Sequence, residues 1–195
     1  MRRWLPFVTA VLALSALVAG CGSDDSSSGA IDTKVPFDQA FIDAMVPHHE
    51  SAISMANEAI DAGLSEPELL LVTDAILATQ PREVDQMKAW RGAWFGSSEI
   101  DPEGAQALGM STDEMGMSHS SGSFDNSTDL GGAFAEAMIT HHRGAIAMAK
   151  LALDRAEHPE LRKLAEGIIE TQTAEIERME QYATGDAGHE NMEGM

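Results

Sequence analysis

The sequence predicts an all-α chain, a four-helix bundle built from two repeated antiparallel helical hairpins. Three observations lead there. Residues 37–94 resemble residues 127–184, the apolar positions in both recur at helical spacing, and the turn inside each copy is short. FIDAMVPHHESAISMA (41–56) aligns with FAEAMITHHRGAIAMA (134–149), and ILATQPREVDQMKAW (76–90) with IIETQTAEIERMEQY (168–182). Helices this long joined by short turns lie antiparallel, and two such hairpins bury their apolar faces most simply against each other.

The chain opens with MRRWLPFVTAVLALSALVAGC, where two arginines precede an apolar run too short to span a membrane. Residues 1–20 therefore read as a signal peptide. Val18-Ala19-Gly20-Cys21 resembles a bacterial lipoprotein cleavage box, which implies cleavage before Cys21 and lipid on its sulfur. Such a protein would be anchored to the cell membrane outside the cytoplasm, in the periplasm or on the outer face. Cys21 is the only cysteine, so the folded part has no disulfide and no thiolate metal site. Residues 21–36 are small and polar and read as a flexible tether. Loss of Arg2 and Arg3 takes the net charge from −20 to −22, a balance that repels nucleic acid and gathers cations.

The bundle domain is expected over 37–184. In its first helix Phe41, Ile42, Met45, His48, His49, Ala52, Ile53, Met55, Ala56 and Ile60 share one broad arc, and Asp43, Glu50, Ser51, Ser54, Asn57 and Glu58 the opposite one. Ser65-Glu66-Pro67-Glu68 reads as a capping box opening the second helix, and His158-Pro159-Glu160 marks the start of the fourth. Pro47 and Pro81 fall on polar faces with periodicity continuing past them, which predicts bends and not breaks. Residues 95–126 form a crossover rich in Gly, Ser and Asp, expected to be mobile, and residues 185–195 form a tail of the same kind.

The chemistry lies on the apolar faces. Glu83 sits among Leu69, Val72, Ile76, Met87 and Trp90, and Glu175 among Ile168, Ile176, Met179 and Tyr182. Carboxylates are rarely buried unpaired. Each hairpin thus points two histidines, one glutamate and three methionines inward: His48, His49, Glu83, Met45, Met55 and Met87, then His141, His142, Glu175, Met138, Met148 and Met179. A buried His–Glu network and a metal site both fit, and they are compatible, since a carboxylate can hold a ligating imidazole.

Ligand type narrows the metal. Di-iron bundles use glutamates and Glu-x-x-His, which this chain lacks; Met45-x-x-His48 and Met138-x-x-His141 stand instead. Neutral thioethers favour Cu(I), or Ag(I) as its mimic, over iron, zinc or manganese. Met110, Met115, Met117 and His119 in the crossover, and His189, Met192 and Met195 in the tail, have no core to fill on this reading and suit capture of a soft ion. Thioether capture survives acid, while histidine ligation fades below the imidazole pKa.

The paired F-x-x-x-M-x-x-H-H-x-x-A-I-x-M-A segments, each followed by T-Q-x-x-E-[IV]-x-x-M, resemble domain-of-unknown-function family 305, a ferritin-like four-helix group with copper-handling members outside the cytoplasm. The resemblance implies Cu(I) binding at Met45, His48, His49, Met55, Glu83 and Met87, and at Met138, His141, His142, Met148, Glu175 and Met179. Copper sequestration, tolerance or delivery follows as the expected role, with a copper transporter or oxidase as the class of partner. A ferritin-like di-metal oxidase and a non-metal envelope lipoprotein with structural His–Glu pairs are the competing readings. No nucleophile–base pair or phosphate loop supports another enzyme.

Overall fold

The structure is a computed structural model that describes residues 35–119, 124 and 128–183. Cys21, the tether before residue 35, and His189, Met192 and Met195 lie outside the described residues. Four helices carry the fold: α1 (Phe37–Asp61), α2 (Pro67–Phe95), α3 (Leu130–Arg155) and α4 (Pro159–Ala183), with short 3-10 turns at Gly104–Leu108 and Met117–His119. Among the described residues no helix is long and apolar enough to cross a membrane.

The helix ends show how local sequence sets the boundaries. α2 opens on Pro67, whose missing N–H costs nothing in a first turn, and closes at Gly96 with φ +84°. The expected capping box does not form. Glu66 occupies the cap position without a side-chain cap bond and accepts instead from the Ser65 N–H. In α3, Asp129 accepts the Gly132 N–H, an ordinary N-cap. Both α1 and α2 run unbroken through Pro47 and Pro81, as the periodicity predicts.

α4 is capped from another helix. Asp38, buried in the first turn of α1, accepts the N–H groups of Glu157 and His158 and the Nδ1–H of His158 at 2.6 Å. His158 also lies flat on Trp94, with ring centroids 3.7 Å apart and planes within 7°. His158 is thus a helix-start residue that ties together α1, the end of α2 and α4.

α1 and α3 cross antiparallel. The start of α1 meets the end of α3 through Asp38, and the two helices touch midway where His48 meets His141. Two apolar clusters result. One holds Phe41, Met45, Met87, Met148, Leu161 and Ile168, and the other Met55, Leu69, Ile76, Phe134, Met138 and Met179.

One expectation fails in α1. Asp43, placed by periodicity on the polar arc, is fully buried. It receives Arg91 Nε–H at 2.5 Å and Nη2–H at 3.1 Å, and the Asp101 N–H at 3.1 Å, while Arg91 also donates to the Ser97 carbonyl. The 3-10 turn at Gly104 lies so close that a Cβ there would press on the Asp43 side chain. Burial comes from the crossover folding back over α1, a contact that the helix's own period does not encode.

Candidate metal centre

Between the two apolar clusters every helix contributes polar residues at one level. His48 and His49 come from α1, Gln80 and Glu83 from α2, His141 and His142 from α3, Gln172 and Glu175 from α4. All are buried except Glu83, whose side chain is 25% exposed against 7% for Glu175. Adjacent histidines on a helix point about 100° apart. One of each pair therefore faces the opposite helix and the other its own hairpin partner.

The hairpin-facing pair is held by carboxylates. His49 donates Nε2–H to Glu83 Oε2 and His142 donates Nε2–H to Glu175 Oε2, both at 2.7 Å. A carboxylate can only accept, so these bonds place the proton on Nε2 and turn Nδ1 inward as the nitrogen free to ligate. Neither Nδ1 has a partner.

The facing pair differs. The His48 and His141 rings lie 3.7 Å apart between centroids, tilted by 37°. His48 donates Nε2–H to the Met115 carbonyl at 2.9 Å, whereas His141 has neither ring nitrogen bonded. Burial, helped by the neighbouring His49, pushes His48 down to about 3, against a weaker upward pull from the Met115 carbonyl. Burial, then His48, holds His141 well below the ordinary imidazole range. Both rings are neutral at physiological pH, the form that binds metal.

The described part of the crossover, up to residue 119, packs over this pair where the sequence offers a solvated segment. Glu114 accepts both the N–H and the O–H of Ser111, and backbone bonds from Met115 to Ser111, Gly116 to Asp113 and Met117 to Thr112 close the turn. Gly116 adopts φ +70° and approaches the backbone of Thr140 and His141. Gly144 receives the Met115 carbonyl at a spot where any Cβ would collide with it. Met110 and Met115 pack, partly buried, against the cluster that contains Met45. The expectation that they have no core to fill is therefore corrected. Met117 is half-buried, and His119 falls in the 3-10 turn Met117–His119.

All six predicted core methionines are buried, but they regroup across hairpins. Met45 and Met87 join Met148 on one side of the imidazole layer, and Met138 and Met179 join Met55 on the other. Each side thus pools thioethers from both hairpins. Sequence reasoning passed over Gln80 and Gln172, whose Oε1 atoms are buried without partners. Their signal was the T-Q-x-x-E spacing shared by α2 and α4, which sets Gln and Glu on one helix face.

Among the described residues no group of three or more His, Cys, Asp and Glu is placed to hold a metal ion. Each carboxylate is engaged with an imidazole through Oε2, so the donors left over are imidazole nitrogens, thioethers and three oxygens, Oε1 of Gln80, Gln172 and Glu175. The imidazoles and neutral thioethers that dominate this set fit a soft monovalent ion better than a hard one.

Residues 38–183 match the family described as Domain of unknown function (DUF305), and the chain belongs to it. Its structure is similar to CopM in the Cu(I)-bound form, with 34% identity and a TM-score of 0.61 over 77% of this chain and 98% of that one. It is also similar to CopM in the Ag-bound form obtained by soaking, at 31% identity, TM-score 0.62 and the same coverage. A DUF305 fragment from Deinococcus radiodurans follows at 28% identity and TM-score 0.59, covering 77% of this chain and 97% of that one. No curated protein matches the chain.

Proposed function

We propose that this DUF305 protein binds Cu(I), and Ag(I) in its place, within the imidazole–thioether layer. It acts as a lipid-anchored protein outside the cytoplasm that sequesters copper or passes it on. One observation carries the reading. Five imidazole nitrogens, Nδ1 of His48, His49, His141 and His142 and Nε2 of His141, are buried at one level of the bundle with no hydrogen-bond partner. Each unsatisfied buried polar atom costs about 1–3 kcal/mol, so one level of the fold concentrates a substantial penalty. A metal ion bound by lone pairs, one from each of the four neutral rings, would offset most of it. Methionines stand on both sides of the layer, and the similar CopM structures contain Cu(I) and Ag.

The chain's own residues prepare such a site. Glu83 and Glu175 orient His49 and His142, and burial keeps His48 and His141 unprotonated in mildly acidic surroundings. Histidine ligation would therefore persist further into acid than a free imidazole allows. The anchor at Cys21 and a partner transporter or oxidase belong to the same proposal, on the sequence reading alone.

Titrating the purified protein with Cu(I) against a chromophoric chelator tests it. Binding should outlast the competition and weaken at least about tenfold in His141→Ala, with helical content retained. Copper content untouched by His48→Ala and His141→Ala, with folding alone damaged, would leave the His–Glu layer a structural device.

A further inference from the structure

The free ring nitrogens of the core are sealed from solvent, so an ion reaches them only if some covering element moves. The helices that cover them are fastened by two buried apolar clusters. The crossover turn 111–117 is fastened more lightly, with Met115 alone packed, partly buried, on the first cluster. The rest of its closure comes from its own short-range bonds, chiefly those of exposed Glu114 to Ser111. Its hold on the imidazole pair is one hydrogen bond, from His48 Nε2–H to the Met115 carbonyl. It lies over the layer, with Gly116 against His141 and the Met115 carbonyl against Gly144. The same turn carries the thioethers of Met115 and Met117.

We infer that turn 111–117 is the door by which a soft monovalent cation enters the core, and that His141 is the first imidazole to receive it. This rests on the copper-site reading above. His141 is held by no hydrogen bond at either ring nitrogen and its ring can turn to meet an ion, whereas the His48 ring is fixed through Nε2–H on the Met115 carbonyl and offers Nδ1 alone. Met115 rides on the moving segment and offers the ion a thioether at the threshold. Once the turn closes again, His48 keeps its Nε2–H on the Met115 carbonyl and presents Nδ1 inward.

Two variants loosen the door without touching a proposed ligand. Glu114→Ala removes the exposed staple of the turn, and Gly144→Ala pushes the Met115 carbonyl off α3. Transfer of Cu(I) from a chromophoric chelator, followed by stopped flow, gives entry and exit rates for the full protein. Both rates should rise together by about two- to tenfold, the worth of a single hydrogen bond, while equilibrium affinity stays level. In the 15N-labelled protein, Ag(I) below one equivalent should shift the ring nitrogens of His141 before those of His48. Unchanged rates in both variants, or His48 responding first, would overturn the door while leaving the core site standing. Failure of every core ring nitrogen to respond to Ag(I) in the unaltered protein would remove the site and the door together. If Gly144→Ala does not fold, Glu114→Ala, a surface change, decides the matter.

Discussion

His48 in the first hairpin gives its Nε2–H to the Met115 carbonyl, whereas His141, its match in the second, gives neither nitrogen to anything. Differences of the same kind recur away from the centre. Asp43 and Arg91 form a buried ion pair in the first hairpin, where the matching positions of the second are Glu136, which is exposed, and Ala183. Glu83 stays a quarter exposed at 25%, and Glu175 is nearly sealed at 7%. The crossover accounts for the first two contrasts. It follows α2, folds over the start of α1 onto Asp43, then reaches the imidazole pair and serves only His48. Matched residues build the layer, and an unmatched segment finishes one half of it.

The strongest way to break this comparison is at its ion pair. Asp43→Ala should lower stability by about 3–5 kcal/mol, because Arg91 is left buried without its counter-charge. Glu136→Ala should stay within about 0.5 kcal/mol in the same urea titration. Equal effects would mean that the crossover does not fasten the first hairpin.

Acid should act on both hairpins alike. His48 falls from 6.5 to about 3 in the fold, and His141 is depressed in the same direction. Below about pH 6.5 the unfolded chain takes up protons that these folded imidazoles refuse. The His48 contribution is therefore whole above pH 6.5 and is lost progressively as pH drops toward 3, and His141 acts in the same direction. His48 should cost the metal-free protein on the order of 1 kcal/mol per pH unit in that window. Denaturant midpoints measured at several pH values check this slope, and His141→Leu should make it shallower.

At fixed neutral pH the same pair should split. His141→Leu removes an imidazole that bonds to nothing and should raise metal-free stability by about 1 kcal/mol while abolishing copper retention. His48→Leu breaks a bond and orphans the Met115 carbonyl, so it should lower stability by about 1–2 kcal/mol. Thermal melts of the metal-free variants read the sign directly. A shared sign would erase the distinction between the two rings. The smallest effect should come from Ser51→Ala, at the position matching Gly144. Its buried hydroxyl is unpartnered, so its loss should leave stability unchanged or higher by less than about 1 kcal/mol.

Much of this was legible in the sequence because helix periodicity is local. The hairpins, the two helix-borne prolines and the inward-facing His, Glu and Met residues all follow from spacing within single helices. What spacing missed was set by the crossover. Asp43 looks polar-facing until the turn at Gly104 covers it, and Met110 and Met115 look solvated until the chain packs them on the first cluster. Gly144 was the available clue, a glycine inside a helix where the matched position is Ser51. Such a residue signals close approach of other backbone, but it does not say which. The regrouping of methionines across hairpins was also hidden, since it depends on α1 and α3 running in opposite directions.

That antiparallel crossing at His48 and His141 has a further meaning. A single hairpin associating with an identical copy about a two-fold axis would be obliged to treat the two rings the same way. Any cover laid on one would be laid on the other, and both would be shut or both bare. Joining two non-identical hairpins through one linker lifts that obligation. Broken symmetry lets a single level of the bundle tether one imidazole and leave its neighbour untethered.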